Sequence, residues 1–238
     1  MNEFDAAWTA SSEVEGWLLK EQGLALFGAA QQLAPGTAAV EIGSHRGKSA
    51  TLIALGLPEG ARLTAVDPFD DPRWGGGPES LAIFEANMEK VGVRDRVDLF
   101  RGLSKDASSS WNGLPVGLLW VDGAHDLEST LADFDGWLPH MARGGRLYVH
   151  DAFSAVGTTR AILRRFWFSA RVEFVGCERT LAKFVVRPLG TSERLRSGLR
   201  LAGRLPFFLR IVAIKISRRR GWHKLERRFM TMDNEPLI

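Results

Sequence analysis

The feature that most constrains this chain is a turn with two glycines, placed between a short apolar run and a helical pattern. The apolar run ends in Val40-Glu41-Ile42, Gly43 and Gly47 follow four positions apart, and residues 50–55 have the composition of a buried helix. The glycines let the backbone pass beneath a ligand without a side-chain collision, and the helix presents unpaired N–H groups to it. The stretch therefore predicts a ligand site on a strand–turn–helix.

The spacing of these glycines separates three kinds of ligand. A dinucleotide site needs Gly-x-Gly-x-x-Gly, and Ser44 and His45 stand where the second glycine is required. A phosphate-binding P-loop needs four residues between its first glycine and Gly-Lys-Ser. In this chain only three residues separate Gly43 from Gly47-Lys48-Ser49. This near match leaves a P-loop-like nucleotide hydrolase as an alternative.

The third pattern, an acidic residue followed by x-Gly-x-x-x-Gly-x-Ser, is complete from Glu41 to Ser49. It resembles the S-adenosylmethionine site of class I methyltransferases. The resemblance implies that six residues of the stretch contact this cofactor: Glu41, Gly43, Ser44, His45, Gly47 and Ser49.

Two further strand-like runs end in polar residues. Residues 62–66 lead to Asp67, about 20 residues beyond the glycines, where a carboxylate can accept both ribose hydroxyls of a nucleoside. Residues 96–100 lead to Gly102 and Ser104, and the resemblance implies that these two contact the adenine. Ser104 is also suited to capping the next helix.

Two later strands end in acids and histidines. Residues 118–121 lead to Asp122, and residues 144–149 lead to His150 and Asp151. Because the carboxyl ends of parallel strands deliver side chains to one crevice, we expect these groups to lie close together. In a P-loop enzyme Asp122 would instead hold magnesium, and its plain structural role would be to cap the following helix.

Val-Asp-Gly-x-His over residues 121–125 and Gly-Gly-x-x-x-x-His-Asp over residues 144–151 resemble metal-dependent O-methyltransferases of small hydroxylated substrates, such as catechol and macrolide-sugar enzymes. The segments around Trp17, residues 67–70 and residues 74–77 are similar to sugar and polysaccharide methyltransferases. The resemblance covers roughly residues 13–187. It implies methyl transfer from S-adenosylmethionine to a hydroxyl of a sugar or glycan, with a divalent metal, Mg²⁺ expected, orienting and acidifying that hydroxyl.

The resemblance also implies roles for the residues at the strand ends. Asp122, His150 and Asp151 would be the metal ligands, Asp122 would also touch the cofactor, and His125 or His150 would be the base, with Asp122 sharing that role. Depending on the alignment, His150 either stands where related enzymes carry an acidic ligand or lies one position before the ligand pair. A nitrogen ligand would shift the metal preference from Mg²⁺ toward manganese or zinc. Hydrogen bonding at the start of the next helix is the structural alternative for His125.

The remaining patterns indicate the fold. Apolar positions from Glu13 to Leu33 predict an amphipathic helix with a break at Gly23, and residues 68–78, with Trp74 beside three glycines, predict a loop. Residues 171–176 and 181–186 predict two strands joined by a short turn, hence antiparallel. Together with the resemblance, this predicts an α/β Rossmann-like, seven-stranded class I methyltransferase sheet, mostly parallel with one reversed strand, followed by a basic C-terminal helical tail. The P-loop alternative does not predict the hairpin.

Charge divides the chain into a methyltransferase domain over 1–190 and a basic amphipathic extension over 191–238. The extension holds twelve Lys or Arg against four Asp or Glu, a net charge of +8, which leaves −5 for the rest. An apolar stripe flanked by arginines over 199–217 suits docking in a homodimer, or peripheral contact of residues 195–228 with a membrane. A non-catalytic peripheral membrane binding protein is therefore another alternative, and no nucleic-acid partner is expected.

The single cysteine, Cys177, excludes an internal disulfide framework, and the acidic N-terminus has no apolar core segment. No apolar run is long enough to cross a bilayer. We therefore expect a cytoplasmic protein, with the inner face of the membrane as the alternative location.

Overall fold

The computed structural model of the chain describes residues 2–70, 76–77 and 79–222. The tip of the predicted loop with Trp74, and residues 223–238 of the basic extension, lie outside this part. The strands are β1 (Ala38–Ile42), β2 (Leu63–Asp67), β3 (Val97–Arg101), β4 (Val116–Val121), β5 (Met141–Val149), β6 (Val172–Glu178) and β7 (Leu181–Val186). The helices are α1 (Glu3–Ala10), α2 (Lys20–Gln31), α3 (Lys48–Gly56), α4 (Ser80–Val91), α5 (Ser104–Ser109), α6 (Leu127–Trp137), α7 (Val156–Phe166), α8 (Thr191–Ala202) and α9 (Leu205–Arg219).

All seven strands join one sheet in the order β3-β2-β1-β4-β5-β7-β6. The first five pair in parallel, and β7 runs antiparallel to both β5 and β6. This confirms the predicted mostly parallel sheet with one reversed strand. The order reverses direction between β1 and β4, and the crevice beyond the carboxyl ends of strands at such a point is where ligands bind in open α/β sheets.

Both faces of the sheet are buried, which explains why β4 reads as an uninterrupted apolar run. Leu119 and Val121 pack in the cluster that contains residues of α6 and α7. Their neighbours Leu118 and Trp120 point to the other face, against residues of α2, α3 and α4. Covering both faces fixes the carboxyl edge of the sheet as the side where polar groups can gather.

The N-terminal helix prediction was wrong in its bounds. α2 begins at Lys20 rather than at Glu13, and Gly23 lies inside it instead of breaking it. Glycine is required there because a Cβ would stand 2.6 Å from the ring of Trp8 on α1. Residues 15–19 are consequently not helical, and they cross the carboxyl edge of the sheet.

The described part of the basic extension, residues 191–222, forms the two helices α8 and α9. Pro206 lies in the first turn of α9, where its missing N–H costs no hydrogen bond. α8 is anchored on the edge strand, because the Ser197 hydroxyl accepts a hydrogen bond from the Phe174 N–H at 2.9 Å and Leu201 is buried. Within the part of the chain that the structure describes, no helix has the length and apolar content to cross a bilayer. The domain boundary at residue 190 stays a prediction.

We expect Ser197→Ala to lower the free energy of unfolding by about 1–3 kcal/mol, because it leaves the buried Phe174 N–H without its acceptor. Ser192→Ala, on the exposed face of the same helix, is the matched control and should change it by less than about 0.5 kcal/mol. Urea denaturation of both variants measures the difference. Equal effects would mean that this hydrogen bond does not anchor α8.

Candidate active site

The loops beyond the carboxyl ends of the strands concentrate backbone strain. Among the described residues, six non-glycine residues adopt a positive φ, and every one follows a strand at this edge or lies in the turn between β6 and β7. They are His45, Phe69, His125, Asp151, Phe153 and Arg179. Such conformations persist only where the surroundings enforce them, and they cluster at functional sites.

The turn after β1 depends on its two glycines. Gly43 has φ +84°, and a Cβ there would stand 2.2 Å from the backbone oxygen of Asp122 on the neighbouring strand. Gly47 has φ +93° and precedes the first residue of α3. The first glycine therefore lets β1 approach β4, and the second lets the chain enter α3.

A cleft opens above this turn. Of the residues predicted to bind a cofactor, Gly43, Ser44, His45, Ser49 and Asp122 line it. Glu41, Gly47, Asp67, Gly102 and Ser104 are not in its lining. The other lining residues were not predicted as site residues: Glu15, Gly16, Trp17, Leu18, Lys48 and Trp120.

Residues 15–18 were missed because Trp17 was placed on the buried face of a helix. In the structure it is 69% exposed, and its ring lies 5.3 Å from that of His45. An exposed tryptophan beside a glycine turn is the signal that could have identified this side of the cleft.

Several buried polar groups around the cleft lack partners. Glu41 is fully buried and neither carboxylate oxygen has a hydrogen-bond partner, and the same holds for the Ser44 hydroxyl and the Trp120 indole N–H. Burial raises the pKa of Glu41 to about 7; the Ser44 and Ser49 hydroxyls lie close enough to lower this pKa, but neither has hydrogen-bonding geometry with the carboxylate. Unpaired buried polar atoms cost free energy, so this grouping is suited to a ligand that carries both donors and acceptors.

Asp67 links the loops that follow β1 and β2. One carboxylate oxygen accepts a hydrogen bond from the Phe69 N–H at 2.6 Å, and the other accepts one from the His45 N–H at 2.9 Å. Each oxygen keeps a further lone pair, so the carboxylate can still accept two hydroxyls.

The two residues after β3 differ in their surroundings. The Gly102 N–H donates to the backbone oxygen of Asp67 at 3.2 Å, which holds this loop beside the Asp67 loop. The Ser104 hydroxyl instead accepts a hydrogen bond from the indole N–H of the buried Trp137 at 3.0 Å. Ser104 is the first residue of α5, and Leu103 holds the cap position.

The predicted convergence of β4 and β5 is present. Asp122 Oδ1 lies 3.1 Å from His125 Nε2 and 3.0 Å from His150 Nδ1. The other ring nitrogen of His125 lies 3.3 Å from Asp151 Oδ2. Two acids and two imidazoles thus form one connected network. Burial raises the pKa of Asp122, but the charges and hydrogen bonds of both histidines outweigh it and hold that pKa at about 2.

His150 is held as a cation. Its Nε2 lies 3.3 Å from Gln22 Oε1, an oxygen that also accepts the Leu19 N–H, so both ring nitrogens face acceptors. The Gln22 amide nitrogen donates to Thr180 Oγ1, which fixes the orientation of the amide. Burial lowers the pKa of His150, but the carboxylate of Asp122 dominates and raises it to about 9. The sequence resemblance implies that residues 19–22 lie near the cofactor, but it did not predict the contact of Gln22 with His150.

His125 is the more accessible histidine, with 21% of its side chain exposed against 4% for His150. Burial lowers the pKa of His125, but the hydrogen bond that it donates to Asp122 and the charges of Asp122 and Asp151 outweigh burial and raise this pKa above the ordinary value. His125 contacts Asp122, which lines the cleft, and it is more exposed than His150, so it is the better placed of the two histidines for proton transfer.

The predicted metal ligands do not fit a metal site in this arrangement. Among the described residues, no three His, Cys, Asp or Glu side chains are grouped so that they could hold a metal ion. A cation needs lone pairs that face it, whereas Asp122 Oδ1 faces two imidazoles and His150 faces Asp122 and Gln22. We therefore derive no step through a metal held by Asp122, His150 and Asp151.

Comparison with known proteins agrees with the fold. Residues 40–152 match a family model described as Methyltransferase domain. The solved structure of cofactor-bound Rv0187 from MTB has a TM-score of 0.60 at 22% identity, covering 79% of this chain and 90% of that chain. The O-methyltransferase NovP has a TM-score of 0.62 at 18% identity, covering 71% and 81%. TomG from Streptomyces achromogenes, an O-methyltransferase solved with SAM, has a TM-score of 0.53 at 18% identity, covering 79% and 90%.

The chain therefore has the Rossmann-like methyltransferase fold, and its residues 40–152 match the methyltransferase domain model. The P-loop alternative predicts neither this fold nor the reversed strand β7.

We expect an NMR titration to show one of the five histidines keeping its proton to about pH 9. In Asp122→Asn this pKa should fall by more than ~1 unit, because burial lowers the pKa of His150 and the negative charge that raises it has been removed. Asp126→Asn is the control, because Asp126 caps α6 and Asn caps equally well. An unchanged high pKa in Asp122→Asn would contradict the pairing.

The same titration contributes to stability. His150 binds its proton more tightly in the folded chain than in the unfolded chain, so its contribution is full below about pH 6.5. This contribution to the free energy of unfolding should be lost as the pH rises through about 9. In Asp122→Asn the loss over the same pH range should be smaller. Thermal melts from pH 6 to 10 measure it.

Proposed function

We propose that this methyltransferase transfers a methyl group from S-adenosylmethionine to a hydroxyl of a sugar or glycan. The observation that carries the proposal is the cleft above Gly43. It contains polar groups without hydrogen-bond partners, and it is lined by Asp122, whose carboxylate contacts His125. When bound there, the cofactor supplies a methyl group on a sulfonium, a carbon that an oxygen nucleophile can attack in line.

The residues of the cleft match the parts of this cofactor. Its ammonium and carboxylate suit the turn at Ser44 and Ser49 and the adjacent acid Asp122. Its ribose hydroxyls suit Asp67, which keeps a free lone pair on each oxygen. Trp17 offers an apolar cover at the mouth of the cleft, and the unpaired Trp120 N–H offers a donor inside it.

His125 is the group we assign as base. A sugar hydroxyl keeps its proton at neutral pH, so it becomes a good nucleophile only if a neighbouring group removes that proton. His150 is only 4% exposed and is held between Asp122 and Gln22, which suits it to orienting Asp122, whereas His125 is 21% exposed and can be reached by an acceptor. A bound sulfonium lowers the pKa of His125 by charge repulsion, and so favours the neutral form that can accept the proton.

The sugar assignment rests on the sequence resemblance in the Trp17 and 67–77 segments, and a methylmannose polysaccharide is the particular acceptor that it suggests. Trp111 and Trp137 pack against each other with ring centroids 5.3 Å apart, and Trp137 is fully buried, so neither is assigned a platform role. A cytoplasmic location and a homodimer stay predictions.

Isothermal titration with S-adenosylhomocysteine tests the cofactor assignment, with ATP as the competing ligand. We expect the first to bind and ATP not to bind. Asp67→Asn should weaken binding by about 10- to 100-fold through the loss of charged hydrogen bonds to the ribose. Asp70→Asn, three positions away and exposed, should bind as the unchanged protein does. Binding of ATP alone would support a nucleotide hydrolase instead.

Turnover tests the assignment of the base. His125→Asn, which tolerates the positive φ at this position, should lower kcat by about 10²- to 10⁴-fold and leave cofactor affinity within about twofold. In the unchanged protein, kcat should rise with pH as His125 loses its proton, and Asp151→Asn should move that rise to lower pH because it removes one charge that raises the pKa of His125. A pH profile that His125→Asn leaves intact would exclude His125 as the base.

Chelation separates this mechanism from the metal-assisted one that the sequence resemblance implies. Methyl transfer to a panel of hydroxylated sugars, including a methylmannose oligosaccharide, would be measured with EDTA and after addition of Mg²⁺, Mn²⁺ or Zn²⁺. The hydrogen-bonded network predicts that turnover survives chelation. Loss of turnover that one of these ions restores would instead support Asp122, His150 and Asp151 as ligands.

A further inference from the structure

The helix α9 turns an apolar stripe outward. Leu205, Leu209, Val212 and Ile216 recur at helical spacing and therefore share one face. Leu209 is 62% exposed and Ile216 is 45% exposed, and the other two are partly exposed. The opposite face of the helix is the buried one. α9 therefore leaves a continuous apolar surface without cover among the described residues.

The charge around this stripe has one sign. Residues 194–222 contain nine Lys or Arg and no Asp or Glu. Arg219 and Arg220 are exposed at the end of the stripe, and Trp222 follows at 47% exposure with the Arg220 guanidinium 5.0 Å from its ring. Apolar side chains beside arginines and an exposed tryptophan form the composition that binds at the surface of an anionic bilayer.

We propose that α9 is a docking helix for an anionic lipid bilayer. The stripe of Leu205, Leu209, Val212 and Ile216 enters the boundary between headgroups and acyl chains, and Arg219 and Arg220 pair with lipid phosphates. A second copy of the chain is a poorer occupant of the same face, because it would bring the like charges of a second Arg219 and Arg220 to the contact.

The docking helix lies against a loop at the carboxyl edge of the sheet. Lys215 Nζ donates to the backbone oxygen of Ser154 at 2.7 Å, in the loop that follows Asp151. The Arg204 guanidinium lies 5.8 Å from the ring of Phe153 in the same loop and donates to the backbone oxygen of Arg179 at 3.3 Å. A bilayer bound to α9 is therefore close to the loop that carries Asp151. An acceptor hydroxyl at the membrane surface would then lie near the active site. Only this consequence depends on the proposed function.

Sedimentation of the full chain with sucrose-loaded vesicles tests the proposal without cofactor or acceptor. Vesicles of phosphatidylcholine alone and of phosphatidylcholine with 30% phosphatidylglycerol would be compared at low and high salt. We expect binding to the anionic vesicles only, weakened by salt. Recovery of the chain in the supernatant with both kinds of vesicle would overturn the proposal.

Two double variants and matched controls identify the surface. Leu209→Ser with Ile216→Ser, and Arg219→Gln with Arg220→Gln, should each weaken binding to anionic vesicles by about 10-fold or more. Leu114→Ser removes one similarly exposed leucine elsewhere, and Arg101→Gln with Arg143→Gln removes the same charge elsewhere. Both controls should bind as the unchanged protein does.

Affinity for S-adenosylhomocysteine and the melting temperature report folding of each variant, so a failed fold is not mistaken for a lost surface. Undiminished vesicle binding by the leucine and isoleucine variant would overturn the role of the stripe. A change from dimer to monomer in that variant, with vesicle binding intact, would assign the stripe to a second copy and also overturn the proposal. Vesicle binding without methyl transfer would leave the docking helix standing and refute only the proposed function.

Discussion

One carboxylate oxygen, Oδ1 of Asp122, organises this site because two imidazoles converge on it from different loops. The parallel pairing of β4 with β5 brings Asp122 next to His150, and the strained loop after β4 returns His125 to the same oxygen. An acid and two histidines held this closely shift each other's proton affinity. The pKa of the acid is driven down and those of the histidines are driven up. The network thereby separates a fixed cation, His150, from a more exposed histidine at the cleft.

The sequence predicted the features that depend on local pattern. The glycine turn, the strand ends at Asp67, Asp122 and Asp151, and the hairpin of β6 and β7 all follow from spacing and from the geometry of parallel sheets. These elements are confirmed because each is specified by residues close to one another in the chain. The predicted fold class is confirmed for the same reason.

The features that sequence reasoning missed depend on contacts between distant residues. Gly23 reads as a helix break, but it lies within α2 because Trp8 packs over it. Gln22 touches His150 only because α2 crosses the carboxyl edge, 128 residues away in sequence. Likewise, the sequence resemblance named Asp122, His150 and Asp151 as metal ligands, but spacing could not show that Asp122 would contact both histidines. The spacing of residues in the sequence predicts which side chains come close together, whereas tertiary packing determines how these side chains are oriented.

A crystal structure of the chain with S-adenosylhomocysteine tests the central claim most directly. The account predicts the nucleoside in the cleft above Gly43 and Gly47, its ribose on Asp67, its amino acid end beside Ser44 and Ser49, and its sulfur facing the Asp122 network. Density for the ligand elsewhere, or a sulfur directed away from His125 and Asp122, would contradict it.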